Sequence, residues 1–387
     1  MKKGLKFIDL FAGIGGFHQA MLKFDGECVF ASEIDQQAIA TYMENYGINA
    51  DYDICEIDEK EIPKHDVLCG GFPCQTFSKA GKQAGMKDAR GTLFFEILRI
   101  LKHHKTKFVI LENVRNLVTH DGGNTWKVIR DSLHELGYRL TDEPLILSPY
   151  QFGIPQSRDR VYILGIYDPE NKHIPLDIKF DNLLNKSDNS IYSILDDTEV
   201  NIPLSEYERD VLEIWEEFYH GIEETVIGFP VWIDYFQCSD REIKKYPVWK
   251  QKFIISNKKL YQNNKKFIDG WLDRNNDLEK FIPTHRKFEW QAGEEINSIY
   301  DGVIQFRPSG VRVKKPDVFP ALVAMVQIPI LGKSQRKLTV RECARLQSFP
   351  DNFIPNCSVT AAYKQLGNSV NVKVVEKLVE KLLNYTD

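Results

Sequence analysis

At 387 residues, with 43% hydrophobic and 27% charged side chains, the chain has length for two or three domains with buried cores, which excludes wholesale disorder. No run of about 18 uncharged apolar residues occurs, so no membrane span is expected. The basic start MKKGLKFIDLFAG reaches Asp9 before a signal core can form, so a cytoplasmic protein is expected.

The first 170 residues alternate between strand and helix patterns. LKFIDLF (5–11) is a short apolar run closed by glycines, and FHQAMLKF follows with helical spacing. CVFASEI (28–34) returns as a strand, and DQQAIATYMENY (35–46) reads as a helix opened by Asp35 as its cap. DVLCGGF (66–72) and KFVILENV (107–114) are continuous apolar strands with a helix at about 92–103 between them. TWKVIRDSLHELG (125–137) is a helix ending at glycine, and RVYILGIY (160–167) a closing strand. This alternation predicts an α/β fold: a doubly wound, mostly parallel, Rossmann-like sheet covered by helices on both faces. After Asp168 the periodicity breaks up into a second, mixed domain, and VKVVEKLVEKLL (372–383) closes the chain as an amphipathic helix.

The net charge of −5 hides strong local differences. Residues 196–224 carry one basic and eleven acidic side chains, whereas 241–280 carry eleven basic and five acidic, and 303–341 eight basic and one acidic. The two basic stretches, interleaved with aromatics such as Trp249 and Phe306, suit phosphate neutralisation as well as a merely solvated surface. The seven cysteines form no C-x-x-C pair, so neither a disulfide framework nor a metal site is expected.

Five places carry candidate chemistry. Gly13, Ile14, Gly15 and Gly16 follow the first strand, where ligands bind in open α/β sheets. His18 stands where a dinucleotide fingerprint would place its last glycine, which points to a nucleoside without phosphates and away from a nicotinamide dehydrogenase. Glu33, about 20 residues on, suits ribose hydroxyls, and Asp53, after a third strand candidate, an adenine amino group. Cys74 follows Gly70, Gly71 and Pro73 at the mouth of the sheet, and as a nucleophile it needs activation. Glu112 ends another apolar strand near Cys74, where partial desolvation would raise its pKa. In QSRDR, Arg158 and Arg160 alternate in extended chain and so are expected to point together toward an anion.

Together FIDLFAGIGG, Glu33, GGFPCQTFS, RGTLFFEI (90–97), ENV, QSRDRVYILG, LTVRECARLQSFPDNF (338–353) and QLGNSVNVKVV (365–375) resemble, in order, the motifs of DNA (cytosine-5) methyltransferases of the prokaryotic restriction–modification type. The resemblance implies that residues 1–175, completed by 355–387, bind S-adenosylmethionine, and that 176–354 form a target-recognition domain with a hinge. It implies that Phe11, Gly13, Ile14, Gly15, Gly16, Glu33, Ile34, Asp53, Ile54, Pro73, Leu93, Asn368 and Val370 line the S-adenosylmethionine site, with S-adenosylhomocysteine as product. Cys74 would attack C6 of a flipped-out cytosine, Glu112 would contact its N3 and amine, and Arg158 and Arg160 would hold the target nucleotide.

Gln75, Ser78, Arg90, Gln156, Arg307, Arg312 and Lys314 would contact double-stranded DNA. The first motif begins at residue 7, without the long extension of eukaryotic maintenance enzymes, so a prokaryotic, nucleoid-associated monomer is expected, with a separately acting cognate restriction endonuclease as its candidate partner. A tRNA cytosine-5 methyltransferase and a catalytically silent DNA-binding relative are the alternatives. The basic second domain argues against the first, and the presence of Cys74 and Glu112 against the second.

Overall fold

The computed structural model describes residues 4–73, 93–196, 202–223, 227–325 and 327–385. The chain divides into two compact units. The first contains Met1–Asn189, Pro320–Val326 and Val340–Asp387, and the second Ser190–Phe319 and Gln327–Thr339.

In the first unit, apolar runs become the strands β1 (Lys6–Leu10), β2 (Glu27–Ser32), β3 (Val67–Gly71) and β4 (Phe108–Val114), joined by α1 (Gly16–Leu22), α2 (Gln36–Tyr46) and α3 (Leu93–His104). The helix α4 (Asn124–Glu135) leads to the short strands β5 (Tyr138–Leu140) and β6 (Leu145–Leu147), then to β7 (Arg160–Tyr167). Asp35 caps α2 as its position predicts, accepting from the N–H groups of Gln37 and Ala38 at 3.0 and 3.3 Å. The sheet runs β2-β1-β3-β4-β7-β5, with β6 also paired to β7. β1 to β4 are parallel, whereas β7 is antiparallel to β4, β5 and β6. An antiparallel edge on an otherwise parallel sheet is common, because short connections suffice there. Since β2 and β3 flank β1 on opposite sides, the chain leaves β1 in one direction and returns in the other. The carboxyl ends of β1 and β3 therefore form the crevice where such sheets bind ligands. The strand expected ahead of Asp53 reduces to a single bridge between Glu33 and Asp51.

In the second unit, α5 (Glu206–Gly221), α6 (Val248–Asn263) and α7 (Lys265–Arg274) precede a sheet centred on β8 (Lys287–Gln291), β9 (Val303–Arg307) and β10 (Gly310–Lys314). β10 lies between the other two, parallel to β8 and antiparallel to β9. An aromatic core organises the unit: Trp215 stacks on Phe288 with centroids 5.1 Å apart, and Trp271 and Phe218 pack beside them. Ser205 and Glu208 form a reciprocal capping box at the start of α5.

The chain returns to the first unit as α8 (Val340–Leu346), α9 (Val359–Asn368) and α10 (Val372–Leu383), the last matching the amphipathic pattern residue for residue. The boundaries differ from the predicted 175/176 and 354/355. Leu176 N–H donates to Leu140 O at 2.8 Å and Leu184 N–H to Gln151 O at 3.1 Å, holding that segment against the first unit. The end of α8 is likewise tied to the C-terminal helices: Gln347 donates to Leu366 O at 2.7 Å, and Asn371 donates to Leu346 O at 3.1 Å. Among the described residues, no helix is long and apolar enough to cross a membrane.

Candidate functional site

Behind the glycines of the first motif lies a turn gripped by its neighbours. Gly13 (φ +55°) and Gly15 (φ +83°) adopt left-handed conformations that favour glycine. Gly13 N–H donates to Glu33 Oε2 at 2.8 Å, while Glu33 Oε1 accepts from the N–H groups of Ile34 and Asp35 at 2.8 and 2.9 Å. Three acceptor positions of this carboxylate thus serve the backbone, and about one remains for a ligand hydroxyl. At Gly16 a Cβ would come within 2.7 Å of Ser369 Oγ and Val370 Cγ2, so only glycine lets the link between α9 and α10 approach α1.

These elements enclose a cavity of about 460 Å³, in the usual size range for a small-molecule site. Phe11, Gly13, Ile14, Gly16, Glu33, Ile34, Asp53, Ile54, Pro73, Leu93, Asn368 and Val370 all line it. Gly15 is the correction: it stands behind the turn, and a Cβ there would meet the Tyr46 ring at 2.2 Å. Ile34 is 70% exposed, an apolar platform at the rim. Asp53 Oδ1 accepts from Cys55 N–H at 2.9 Å, and Arg99 donates to Ile54 O at 3.0 Å while pairing with Glu59 and Glu96, which fixes this loop. The space in front of Gly13 is open for 4 Å around a built Cβ, leaving a cradle against the backbone. Glycine backbone, acceptor carboxylates and apolar walls fit a nucleoside bearing no phosphate. Sequence reading missed Tyr52, Gln365 and Ser369, which also line the cavity, and Lys364, which pairs with the cap Asp35 at 3.0 Å and lowers its pKa through that hydrogen bond.

The same cavity reaches Glu112, Asn113, Arg158 and Arg160. Burial pushes the Glu112 carboxyl above the ordinary range, against the lowering influence of Arg160, whose Nε lies 3.0 Å from Glu112 Oε1. The motif partner Asn113 donates to Phe72 O at 2.8 Å, fastening the end of β4 to the chain just before Cys74. Arg158 corrects the expectation of two parallel guanidiniums. It precedes β7, so strand alternation does not govern it. Its fork donates to Leu322 O at 2.6 Å and to Gly367 O and Ser369 O at 2.9 Å each. Arg158 is therefore a buried strut beneath the segment that carries Asn368 and Val370, and of the two arginines it is Arg160 that forms the ion pair with Glu112.

Gln156, expected at DNA, is wholly buried. Cys74, Gln75, Ser78 and Arg90 lie outside the described residues.

In the second unit, Glu289, Arg312 and Gln305 are cross-strand neighbours on one sheet face. Arg312 Nε donates to Glu289 at 2.6 Å, so this arginine, expected at phosphate, is already neutralised. Lys314 lies on the same face and is half-buried, as is Arg307, whose pKa is lowered by burial and then by Arg312. The acidic run is paired as well: Glu208 with Lys337 at 2.7 Å, Glu217 with Arg274 at 2.5 Å and Asp210 with Lys280 at 3.0 Å. Part of the positive charge counted along the sequence is thus cancelled within the unit. Lys244, Lys252 and Lys259 stay exposed and, among the described residues, have no ion-pair partner.

A cavity at the carboxyl ends of the strands that runs from a glycine turn to a half-buried carboxyl–guanidinium pair is the frame of an α/β enzyme acting on small molecules. The family model described as C-5 cytosine-specific DNA methylase matches residues 5–384, and the chain belongs to that family of DNA (cytosine-5) methyltransferases. The Type II methyltransferase M1.ScrFI of Lactococcus lactis subsp. cremoris is 38% identical over 383 residues, covering 98% of this chain and 78% of that one. The Type II methyltransferase M.HhaI of Haemophilus parahaemolyticus is 33% identical over 375 residues, covering 96% and 92%. The crystal structure of the S. pombe Dnmt2 methyltransferase shares the fold with a TM-score of 0.55 at 19% identity, covering 99% of this chain and all of that one.

Proposed function

We propose that this DNA cytosine-5 methyltransferase works through a transient covalent bond from Cys74 to C6 of a cytosine swung out of double-stranded DNA, as the modification enzyme of a restriction–modification pair. The continuity of one cavity from the glycine turn to Glu112 carries the reading, because donor and base must meet at a single point. Glu33 and Asp53 would hold the ribose and adenine of S-adenosylmethionine, with Phe11, Ile14, Ile34, Leu93 and Val370 as apolar walls. When bound, that group supplies an electrophilic methyl.

The chain's own residues prepare the base. Cytosine C5 is too weak a nucleophile unaided. Addition of the Cys74 thiolate to C6 moves electron density to C5 and N3. Glu112, its proton favoured by burial, shares that proton with N3 as negative charge develops, while Arg160 fixes its orientation. Once C5 has taken the methyl from the donor's sulfur, loss of its proton to a base expels the thiolate and restores the ring as 5-methylcytosine. Extrusion of the base costs roughly a few kcal/mol, offset by phosphate contacts from exposed lysines of the second unit. The Type II names of the relatives support the restriction–modification role.

Bisulfite sequencing of DNA from cells expressing the chain tests this reading. It should reveal 5-methylcytosine in one short sequence context, and none with Cys74→Ser. Methylation by that variant, or of tRNA alone, would overturn it.

A further inference from the structure

A polar cluster behind the glycine turn takes no part in the chemistry above. Tyr46, the last residue of α2, donates its hydroxyl to Gly15 O at 3.0 Å, and its ring occupies the space a side chain at Gly15 would need. The ring lies flat on His18, 4.0 Å between centroids and 13° between planes. His18 Nδ1 in turn meets Tyr42 OH at 2.7 Å. Asp9 is wholly buried beside them, and burial favours its neutral form as it does that of His18. The cluster is therefore a packed backing to the turn in which burial favours the uncharged forms of Asp9 and His18. The same helix reaches the front of the turn, since Asp35 caps α2 two residues after Glu33, which holds Gly13 N–H. The turn is gripped from the front by Glu33 and from behind by Tyr46.

We propose that Tyr46 is a positioning residue for the methyl-donor site. It holds Gly15 in its left-handed conformation, so that Gly13 and Phe11 present the cradle in front of them. This rests on the reading of the cavity as the S-adenosylmethionine site, and it adds a residue that touches no ligand.

The test is calorimetric binding of S-adenosylhomocysteine to the full chain, alongside steady-state methylation of DNA. Tyr46→Phe removes the hydroxyl, which meets Gly15 O at 3.0 Å and Gln19 Oε1 at 3.4 Å, and keeps the ring. It should weaken S-adenosylhomocysteine about two- to tenfold and raise KM for S-adenosylmethionine alike. The saturated kcat should stay within about twofold, because Glu112 and Arg160 are untouched. Tyr46→Leu, which also removes the stack on His18, should lose more than Tyr46→Phe. Unchanged affinity in Tyr46→Phe, or a fall in kcat and melting temperature with KM constant, overturns the proposal. Failure of the unaltered chain to bind S-adenosylhomocysteine would overturn the cofactor reading instead.

Discussion

Replacing Arg158 by methionine separates its role as a strut from the role its motif suggests. The guanidinium makes three hydrogen bonds to the carbonyls of Leu322, Gly367 and Ser369, at 2.6 to 2.9 Å and in full burial. Charged hydrogen bonds contribute about 1.5–3 kcal/mol each, so a simple sum exceeds about 4 kcal/mol. Relaxation and non-additivity reduce that, and about 3 kcal/mol is a conservative expectation. For a unit of this size the loss corresponds to a drop of roughly 6–12 °C in melting temperature. Two of the freed carbonyls, Gly367 and Ser369, belong to the segment that carries Asn368 and Val370, so cofactor affinity should fall with stability. Arg158→Lys, keeping the charge and part of the hydrogen bonding, should lie between methionine and the native residue. Calorimetric melting with and without S-adenosylhomocysteine reads both effects. Unchanged melting and cofactor affinity together with abolished methylation would show that Arg158 acts on the substrate, and would refute the strut.

Other consequences follow from the same geometry. Glu112→Gln keeps the shape but cannot give up a proton, so kcat should fall at least about a hundredfold while S-adenosylhomocysteine affinity stays within about twofold; equal losses in both would move Glu112 out of the chemistry. In DNA binding titrations at several salt concentrations, Lys252→Gln and Lys259→Gln should each lower the salt slope by about one. Neutralising Arg274 or Lys280, already paired with Glu217 and Asp210, should leave that slope almost unchanged, and the reverse ranking would refute the assignment. Burial lowers His65 to a pKa of about 4, below the ordinary 6.5, so the unfolded chain binds the extra proton between these values. Its contribution, up to about 3 kcal/mol, is complete above pH 6.5 and lost as pH falls toward 4. Denaturant unfolding should be less pH-dependent in His65→Gln over that window, and an identical slope would contradict this.

Strongly periodic and punctuated segments were legible in the amino-acid order alone. The apolar strands, the Asp35 cap and the 372–383 helix depend on neighbours a few residues away. So does the glycine turn, whose residues mostly face the cavity. What escaped depends on partners far along the chain. Arg158 reads as an anion ligand until Leu322, Gly367 and Ser369 arrive beneath it from residues over 160 positions distant. The basic stretches look like a phosphate surface until α5 brings its carboxylates to Arg274, Lys280 and Lys337. Tyr46 carries no motif, and its relation to Gly15 exists only once α1 and α2 pack together. Strand direction at β7 was not readable either, because an apolar strand buried on both faces has the same pattern whichever way it runs.

The central claim is a sulfur–carbon bond between Cys74 and C6 of the target base. Incubation with S-adenosylmethionine and duplex DNA carrying 5-fluorocytosine at the methylated position blocks release, since fluorine cannot leave as a proton does. The account predicts a one-to-one protein–DNA adduct that survives denaturation, maps to Cys74 by peptide mass and disappears in Cys74→Ser. Active enzyme that forms no such adduct, or one that maps to another residue, would contradict it.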